Sequence, residues 1–176
     1  MDKNNVLSVL KEQKEMQLTG NLYHATQIQF AYNSNHIEGS TLTEEQTRYI
    51  YETNTFLIED NNSSTKIDDI IETSNHFKLV DYMLDVASEI LTEDMIKEFH
   101  KILKTGTSDE RKTWFNVAEY KSLANEVAGF ATSSPKNVTN DMQKLLYSYN
   151  SLEIVTFEDI IKFHSDFEKI HPFQDR

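Results

Sequence analysis

The amino-acid sequence predicts an all-α domain that carries one short β-hairpin. Only 4 Gly and 2 Pro occur among 176 residues, and so few helix breakers favour helices with short connections. Apolar residues recur at helical spacing through most of the chain, but this period fails between Thr107 and Ser134. That stretch has aromatic and β-branched residues around polar turn candidates, a pattern typical of a hairpin.

The first third of the chain predicts three helices. One begins around Val6 and Leu10 and ends before the segment "LTGN". A second covers "LYHATQIQFAYNSNHIEG" and ends at Gly39, because glycine readily adopts the left-handed conformation that follows a helix. Thr41 and Glu44 are spaced as a capping box, so the third helix is expected to begin after Thr41.

The middle of the chain predicts two more helices. The segment "IDDIIETSNHFKLVDYMLDVASEI" has an apolar stripe that includes Ile70, Phe77 and Leu84. The segment "TEDMIKEFHKILKTG" follows, with Thr92 as its cap and Gly106 as its stop.

Two helices are predicted after the hairpin. Ser134 and Pro135 are suited to begin the first of them, because proline at the first helical position is preorganised for the helix. Thr156 and Asp159 form a capping pair for the last helix, and Pro172 ends it. The predicted inner face of this last helix consists of Phe157, Ile160, Ile161, His164 and Phe167.

Length and composition indicate one domain over residues 1–176 in a reducing compartment. There are no cysteines, so disulfides and thiolate zinc sites are excluded. The balance of 17 basic against 29 acidic side chains gives a net charge of −12, which disfavours nucleic acid and anionic membranes as partners. Neither a signal peptide nor a membrane-spanning segment is recognisable, so we expect a cytoplasmic protein.

The end of the last helix has a pattern that suggests chemistry. His171 lies where the backbone must turn, and Asp175 follows it by four positions. A general base beside a carboxylate suits the abstraction of a hydroxyl proton next to a metal-bound phosphate. A lone histidine at a helix end is also commonly a cap or a packed side chain. A metal-dependent hydrolase that uses His164, His171 and Asp175 is a further alternative, although no His-Glu-x-x-His pattern supports it.

Three separate segments resemble one family. "FHSDFEKIHPFQD" resembles the signature of the Fic (filamentation induced by cAMP) family, which reads His-Pro-Phe-x-Asp/Glu-Gly-Asn-Gly-Arg-x-x-Arg. "AEYKSLANEVAG", residues 118–129, resembles the flap hairpin of that family, and "SNHIEG", residues 34–39, resembles its inhibitory motif Ser/Thr-x-x-x-Glu-Gly/Asn. The resemblance extends from about Tyr32 to Asp175.

The resemblance implies a helical Fic-like domain that transfers AMP from ATP to a Ser, Thr or Tyr hydroxyl of a protein. In this interpretation His171 is the base that deprotonates the hydroxyl, and Asp175 holds Mg²⁺ against the α- and β-phosphates. Phe173 packs the loop between them. Self-modification is left open, and no other nucleotide-binding residue is assigned. The resemblance also divides the domain into N-terminal helices, residues 1–60, and a Fic core, residues 61–176.

The flap hairpin is implied to hold an extended target segment by strand pairing, which gives affinity through main-chain hydrogen bonds. An ordinary surface hairpin anchored in the core by Tyr120 and Val127 is an equally open alternative. The implied target-docking residues are Tyr120, Lys121, Asn125, Glu126 and Val127.

The motif of Ser34, Glu38 and Gly39 is implied to inhibit the enzyme. Ser34 and Glu38 are four residues apart and share one helix face. In the family this glutamate reaches the nucleotide site and pairs with the second signature arginine, which obstructs the γ-phosphate. Some members use the same glutamate to align a water that removes AMP, and that possibility stays open. The alternative is that Glu38 is simply a surface residue in the last helical turn.

The sequence departs from the family signature after Asp175. The family continues with Gly-Asn-Gly-Arg and later the second arginine, whereas Arg176 follows directly here. The glycines would cradle phosphates with backbone N–H groups. The sequence is then a shortened form of a longer protein, an incomplete polypeptide or a naturally degenerate member of the family. In the first and third cases we expect weak or absent transfer. A protein-binding module that keeps the fold and the flap without the chemistry is the alternative, and the oligomeric state is not predicted.

Overall fold

A computed structural model describes residues 3–56, 64–127 and 129–174 of the chain. These residues form seven α-helices, one 3₁₀ turn and one antiparallel hairpin, so the predicted all-α fold with a single hairpin is confirmed. The helices are α1 (Lys3–Met16), α2 (Leu22–Ile37), α3 (Glu44–Thr53), α4 (Ile67–Val86), α5 (Glu93–Lys104), α6 (Val138–Asn150) and α7 (Phe157–Ile170). The 3₁₀ turn is Asp109–Arg111, and the strands are β1 (Glu126–Val127) and β2 (Phe130–Ala131).

The chain divides into two compact units. The first unit comprises the residues up to Glu89 together with Ile102–Ser108. The second unit comprises Ile90–Lys101 and the residues from Asp109 onward. The expected arrangement as one domain, with a boundary at residues 60 and 61, stays a prediction.

Helix α2 is the centre of the first unit, where it contacts α1, α3 and α4. Gln27 on α2 is fully buried, and its amide donates to the Tyr23 hydroxyl and to the Asp81 carboxylate on α4, at 2.9 Å each. A buried amide must find such partners, so this network fixes α2 against α4. The apolar cluster beside it consists of Tyr23, Val80 and Leu84, with Leu7 and Leu10 packed against them.

The second unit is built around the packing of α6 against α7. Val138 and Met142 on α6 have no exposed surface, and Ile170 at the end of α7 is also buried. The loop after α7 contributes to the same core through Phe173. The buried cluster consists of Ile96, Val138, Met142, Leu146, Ile170 and Phe173, flanked by Leu91, Tyr120, Leu145, Phe163 and Phe167.

Helix α4 is the longest helix described, with 20 residues, and it carries Asp68 and Asp69 in its first turn. Within residues 3–56, 64–127 and 129–174, no helix has both the length and the apolar character that crossing a bilayer requires.

The start of α3 differs from the predicted one. Its cap is Thr43, whose hydroxyl accepts from the Gln46 N–H at 3.1 Å while the Gln46 side chain accepts from the Thr43 N–H at 3.0 Å. Thr41 is instead bound to Asp69 on α4 through its N–H, at 3.3 Å. Leu42 lies between Thr41 and Thr43 and is buried, and the helix begins two residues later than predicted, at Glu44. The predicted Thr41–Glu44 box is therefore wrong.

The start of α6 also lies later than predicted. The N–H groups of Asn137 and Val138 both donate to the Ser134 carbonyl, so Ser134 and Pro135 form a turn that precedes the helix. The end of α4 differs as well, because this helix stops at Val86 and not at Ile90. The ends of α2 and α5 and the start of α7 are as predicted. Gly39 and Gly106 have positive φ of 86° and 82° just after α2 and α5, and Thr156 and Asp159 cap α7 reciprocally.

The inner face of α7 is not the predicted one. Phe163, Phe167 and Ile170 pack against the core of the second unit. Phe157, Ile160 and Ile161 are 71%, 47% and 53% exposed, and His164 is exposed as well. The helix has apolar residues on two faces, and only Phe167 belongs to both the predicted and the observed inner stripe. Periodicity alone could not decide which face the rest of the protein covers.

Candidate active site

His171 lies at the C-terminal cap of α7 in a left-handed backbone conformation, with φ of 46° and ψ of 69°. Its N–H donates to the Phe167 carbonyl at 2.8 Å, and Pro172 follows it directly, so the helix cannot continue. The side chain is 20% exposed, and Nδ1 lies 3.9 Å from a carboxylate oxygen of Glu168. A non-glycine residue rarely adopts this conformation unless the surrounding structure enforces it.

The loop after His171 is buried. Pro172, Phe173 and Gln174 all belong to the interior of the second unit. The Phe173 ring lies parallel to the His100 imidazole, with centroids 4.1 Å apart and an interplanar angle of 6°. It also contacts the Tyr120 ring at 5.8 Å. Phe173 therefore packs the loop beneath His171 against α5 and the segment before the hairpin.

His100 is a residue that the sequence reasoning missed. It is 6% exposed, and its Nδ1 accepts the backbone N–H of Ala118 at 3.0 Å. An imidazole that accepts at Nδ1 in its neutral form carries its proton on Nε2. A signal for it was present, because His100 lies four positions after the buried Ile96, on the inner face of amphipathic α5.

The predicted flap is a real hairpin, although each strand has only two residues. Glu126 pairs with Ala131 and Val127 pairs with Phe130, and Gly129 in the turn has φ of 80°. Glu126 is exposed and Val127 is half-buried. Phe130, which the sequence reasoning did not single out, is 76% exposed. The hairpin therefore presents one acidic and one large aromatic side chain to solvent.

Tyr120 is directed inward from the segment before the hairpin. Its hydroxyl donates to the Glu93 carboxylate at 2.8 Å, and the Lys97 ammonium lies 4.7 Å from its ring centroid. Burial, followed by the hydrogen bond to Glu93, raises the pKa of Tyr120. The phenol therefore stays neutral and acts as a donor that ties this segment to α5.

Lys121 and Asn125 also face the interior of the second unit. The Lys121 side chain is 3% exposed, and its ammonium donates to the Asn125 side-chain oxygen at 2.6 Å. The Asn125 amide donates to the Phe173 carbonyl at 3.2 Å. The structure thus brings His171, Phe173, Tyr120, Lys121 and Asn125 together in one unit. Glu126 and Val127 lie in the strand that follows.

The residues of the inhibitory motif belong to the first unit. Ser34 is half-buried in the last turns of α2, Glu38 is the exposed C-cap, and Gly39 follows with positive φ. The Glu38 N–H donates to the Ser34 carbonyl at 3.3 Å. Asn35 fixes this end of α2, because its buried amide donates to the Thr73 hydroxyl on α4 at 3.1 Å.

The expected metal ligand, Asp175, lies outside the described residues, and so does Arg176. Among the residues that the structure does describe, no group of three or more His, Asp or Glu side chains is arranged to hold a metal ion. The fit of Mg²⁺ therefore depends on Asp175 and stays a prediction. The alternative of a metal hydrolase depends on the same residue.

Comparison with known proteins points to one family. The sequence model of the Fic/DOC family matches residues 90–175. A Fic domain containing signaling protein from Bacteroides thetaiotaomicron VPI-5482 has a similar structure, with 25% identity and a TM-score of 0.72 over 97% of this chain and 66% of that chain. A comparison with curated protein sequences found no match.

Two further solved structures share the fold at lower identity. A Fic family protein from Desulfovibrio desulfuricans G20 is 23% identical, with a TM-score of 0.73 over 98% of this chain and 52% of that chain. Fic-1 (aa134–508) from C. elegans is 19% identical, with a TM-score of 0.69 over 96% of this chain and 51% of that chain. This chain thus spans less than two thirds of each of the three structures.

Proposed function

Because this chain belongs to the Fic/DOC family, as its residues 90–175 show, we propose that it transfers AMP from ATP to a Ser, Thr or Tyr hydroxyl of a protein. The family generally transfers AMP or other nucleotide groups to proteins. The observation that carries the proposal is the placement of His171. Its imidazole is partly exposed at a sharply turned helix end, above a loop that is otherwise buried.

His171 acts as the general base in this proposal. Its imidazole accepts the proton of the target hydroxyl while the hydroxyl oxygen bonds to the α-phosphorus of ATP. The bond from that phosphorus to the bridging oxygen breaks, and pyrophosphate leaves. Partial exposure suits this role, because the target hydroxyl must be able to reach the ring. The buried loop after His171 holds its backbone in place. Mg²⁺ neutralises phosphate charge when bound, and Asp175 is its proposed ligand.

The hairpin is the proposed docking site for the target. The exposed edge residues of a short strand offer main-chain donors and acceptors to an extended segment, which requires little target sequence. Glu126 and Phe130 are exposed there and are positioned to contact side chains of such a segment. Self-modification is included in the proposal, and label on the chain itself would reveal it.

The motif of Ser34, Glu38 and Gly39 is the proposed brake. An exposed carboxylate at the end of α2 suits a role in opposing a polyphosphate, because like charges repel and binding must overcome that repulsion. Glu38→Gly should then raise transfer. Glu38→Gln keeps the size of the side chain and removes its charge, so it should raise transfer too if repulsion is the cause. If Glu38 instead aligns a water that removes AMP, both variants should slow the loss of AMP from a modified protein.

The decisive experiment incubates the chain with ATP labelled at the α-phosphate, Mg²⁺ and a cell lysate. We expect weak label on a protein with the wild type and stronger label with Glu38→Gly. His171→Ala, added to either, should reduce the label by about 100-fold or more, which is the usual contribution of a general base. His164→Ala is the matched control, because it removes an exposed imidazole from the same helix. Equal labelling by His171→Ala and wild type would contradict the proposal.

A second candidate function is protein binding without transfer. The 76% exposed Phe130 on the hairpin favours it, since a large exposed aromatic side chain commonly marks a contact surface. In that case no variant produces label, yet a lysate protein is captured by the wild type and by His171→Ala, and is lost with Phe130→Ser. Label that depends on His171 would exclude this candidate as the full account.

A further inference from the structure

Lys121 has an unusual environment for a lysine. Its side chain is 3% exposed, and an ammonium is costly to bury unless oxygen atoms replace its water. Three oxygen atoms of the described residues do so: the Asn125 side-chain oxygen at 2.6 Å, the Thr132 hydroxyl at 2.6 Å and the Ile170 carbonyl at 3.0 Å. Each of them accepts a hydrogen bond from the ammonium.

The same residue binds the backbone on both sides of His171. Its ammonium donates a hydrogen bond to the carbonyl of Ile170, and its backbone N–H donates to the carbonyl of Pro172 at 2.8 Å. His171 lies between these two carbonyls in its left-handed conformation, which is unfavourable for a non-glycine residue. The two hydrogen bonds oppose any relaxation of the His171 backbone toward a conformation of lower energy.

Two further hydrogen bonds join the hairpin segment to the loop. The Asn125 amide donates to the Phe173 carbonyl at 3.2 Å, and the Leu123 N–H donates to the Gln174 side-chain oxygen at 3.1 Å. Thr132, after β2, completes the arrangement, because its hydroxyl lies 2.5 Å from the same Asn125 oxygen that accepts from Lys121. We call Lys121, Asn125 and Thr132 the clamp.

We propose that Lys121 is a positioning residue, whose buried ammonium sets the placement of the His171 ring and of the hairpin together. The resemblance to the family placed Lys121 among residues that dock the target, but its burial and its three acceptors direct it to the interior instead. The proposal rests on the proposed function in one respect, which is that His171 is the general base. Coupling the base to the docking hairpin would keep an attacking hydroxyl at a constant distance from the imidazole.

A direct test follows the His171 ring by NMR in the full chain, with isotope-labelled histidine. The chain has six histidines, and the spectrum of His171→Ala identifies the signal of His171. We expect Lys121→Met to shift and broaden that signal and to speed amide exchange at Leu123 about tenfold, while His76 in the first unit is unchanged. Lys144→Met is the matched control, because it removes an ammonium whose side chain is 71% exposed.

Thr132→Val is the second variant, needed in case Lys121→Met does not fold. It removes one acceptor of the ammonium and keeps the side-chain volume. We expect a smaller change of the His171 signal in the same direction. If Lys121→Met keeps a native circular dichroism spectrum and the wild-type His171 signal, the proposal is wrong. If Lys121→Met is unfolded, an unchanged His171 signal in Thr132→Val refutes the proposal equally.

The transfer assay gives an independent measurement. In it, Lys121→Met should lower kcat by about tenfold or more and leave KM for ATP within about twofold, because a misplaced base slows the chemical step and not the binding of nucleotide. The NMR measurement requires neither ATP nor activity. A chain without transfer activity whose His171 signal still depends on Lys121 would refute the proposed function and leave the positioning role intact.

Discussion

His76 shows how burial changes the chemistry of one residue. It lies on α4 with 8% of its surface exposed, near the ring of Phe30. Burial, together with the positive charge of Lys104, lowers the pKa of His76 from 6.5 to about 4. At a pH between these two pKa values, the ring is therefore protonated in the unfolded chain and neutral in the folded chain. The stability that the neutral ring provides is complete above pH 6.5 and is lost as the pH falls toward 4.

This lowered pKa predicts an acid sensitivity that one substitution should reduce. Between pH 7.5 and 4.5, the free energy of unfolding of the wild type should fall more than that of His76→Gln, by up to about 3 kcal/mol. Urea denaturation at the two pH values measures both. The carboxylates are common to the two proteins, so their contribution cancels in the difference. His164→Gln is the control at an exposed position, and equal pH dependence of wild type and His76→Gln would contradict the prediction.

Helix α7 is the element in which sequence and structure differ most. It begins and ends where the sequence predicts, since Thr156, Asp159 and Pro172 act locally. Its inner face depends on which of two apolar stripes meets α6, and that is a tertiary choice. The side that contains Phe163 and Ile170 packs into the core, whereas Ile160 and Ile161 stay exposed.

This choice predicts different costs for two aliphatic truncations. Met142→Ala on α6 removes a side chain with no exposed surface and should lower the free energy of unfolding by about 2–5 kcal/mol. Ile161→Ala on α7, where the side chain is 53% exposed, should cost less than about 0.5 kcal/mol. Urea denaturation at pH 7 compares the two. A large cost at Ile161 would mean that the predicted inner face is the correct one after all.

The candidate site was predictable to the extent that local pattern defines it. The helix end at His171 and the position of the hairpin followed from proline, from the loss of helical period and from resemblance. The sequence did not predict that the Lys121 side chain is buried, because its acceptor Ile170 is 49 residues away along the chain. A lysine in a polar segment is usually exposed, and no local pattern indicates a buried one. Thr132 was missed for the same reason, whereas the helical period of α5 did provide a signal for His100.

At the scale of the whole molecule, surplus negative charge is the dominant electrostatic property. The net charge is −12, and many of the described ion pairs lie at exposed positions, such as Lys101 with Glu98 and Lys162 with Asp166. Exposed pairs contribute little to stability. Repulsion among the unbalanced carboxylates should therefore outweigh them, because self-repulsion destabilises a compact state of high net charge.

The charge balance predicts that moderate salt stabilises the chain. Raising NaCl from about 10 mM to about 150 mM shortens the screening length from about 30 Å to about 8 Å, so the midpoint of thermal unfolding should rise. Differential scanning calorimetry measures the midpoint, and sorbitol at equal osmolality controls for effects unrelated to charge. A lower midpoint in salt would show that attractive pairs, such as Lys104 with Glu72, contribute more than the repulsion does.

The clamp also affects the order in which the protein matures. Its hydrogen bonds to Ile170, Pro172 and Phe173 join residues 48 to 51 positions apart, so Lys121 is synthesised well before its partners are. Until then water surrounds the ammonium, and closing so long a chain segment costs entropy that only the finished contacts offset. The imidazole of His171 thus reaches its final placement late in biogenesis, because the contacts that hold it cannot form before α7 has been made and has folded.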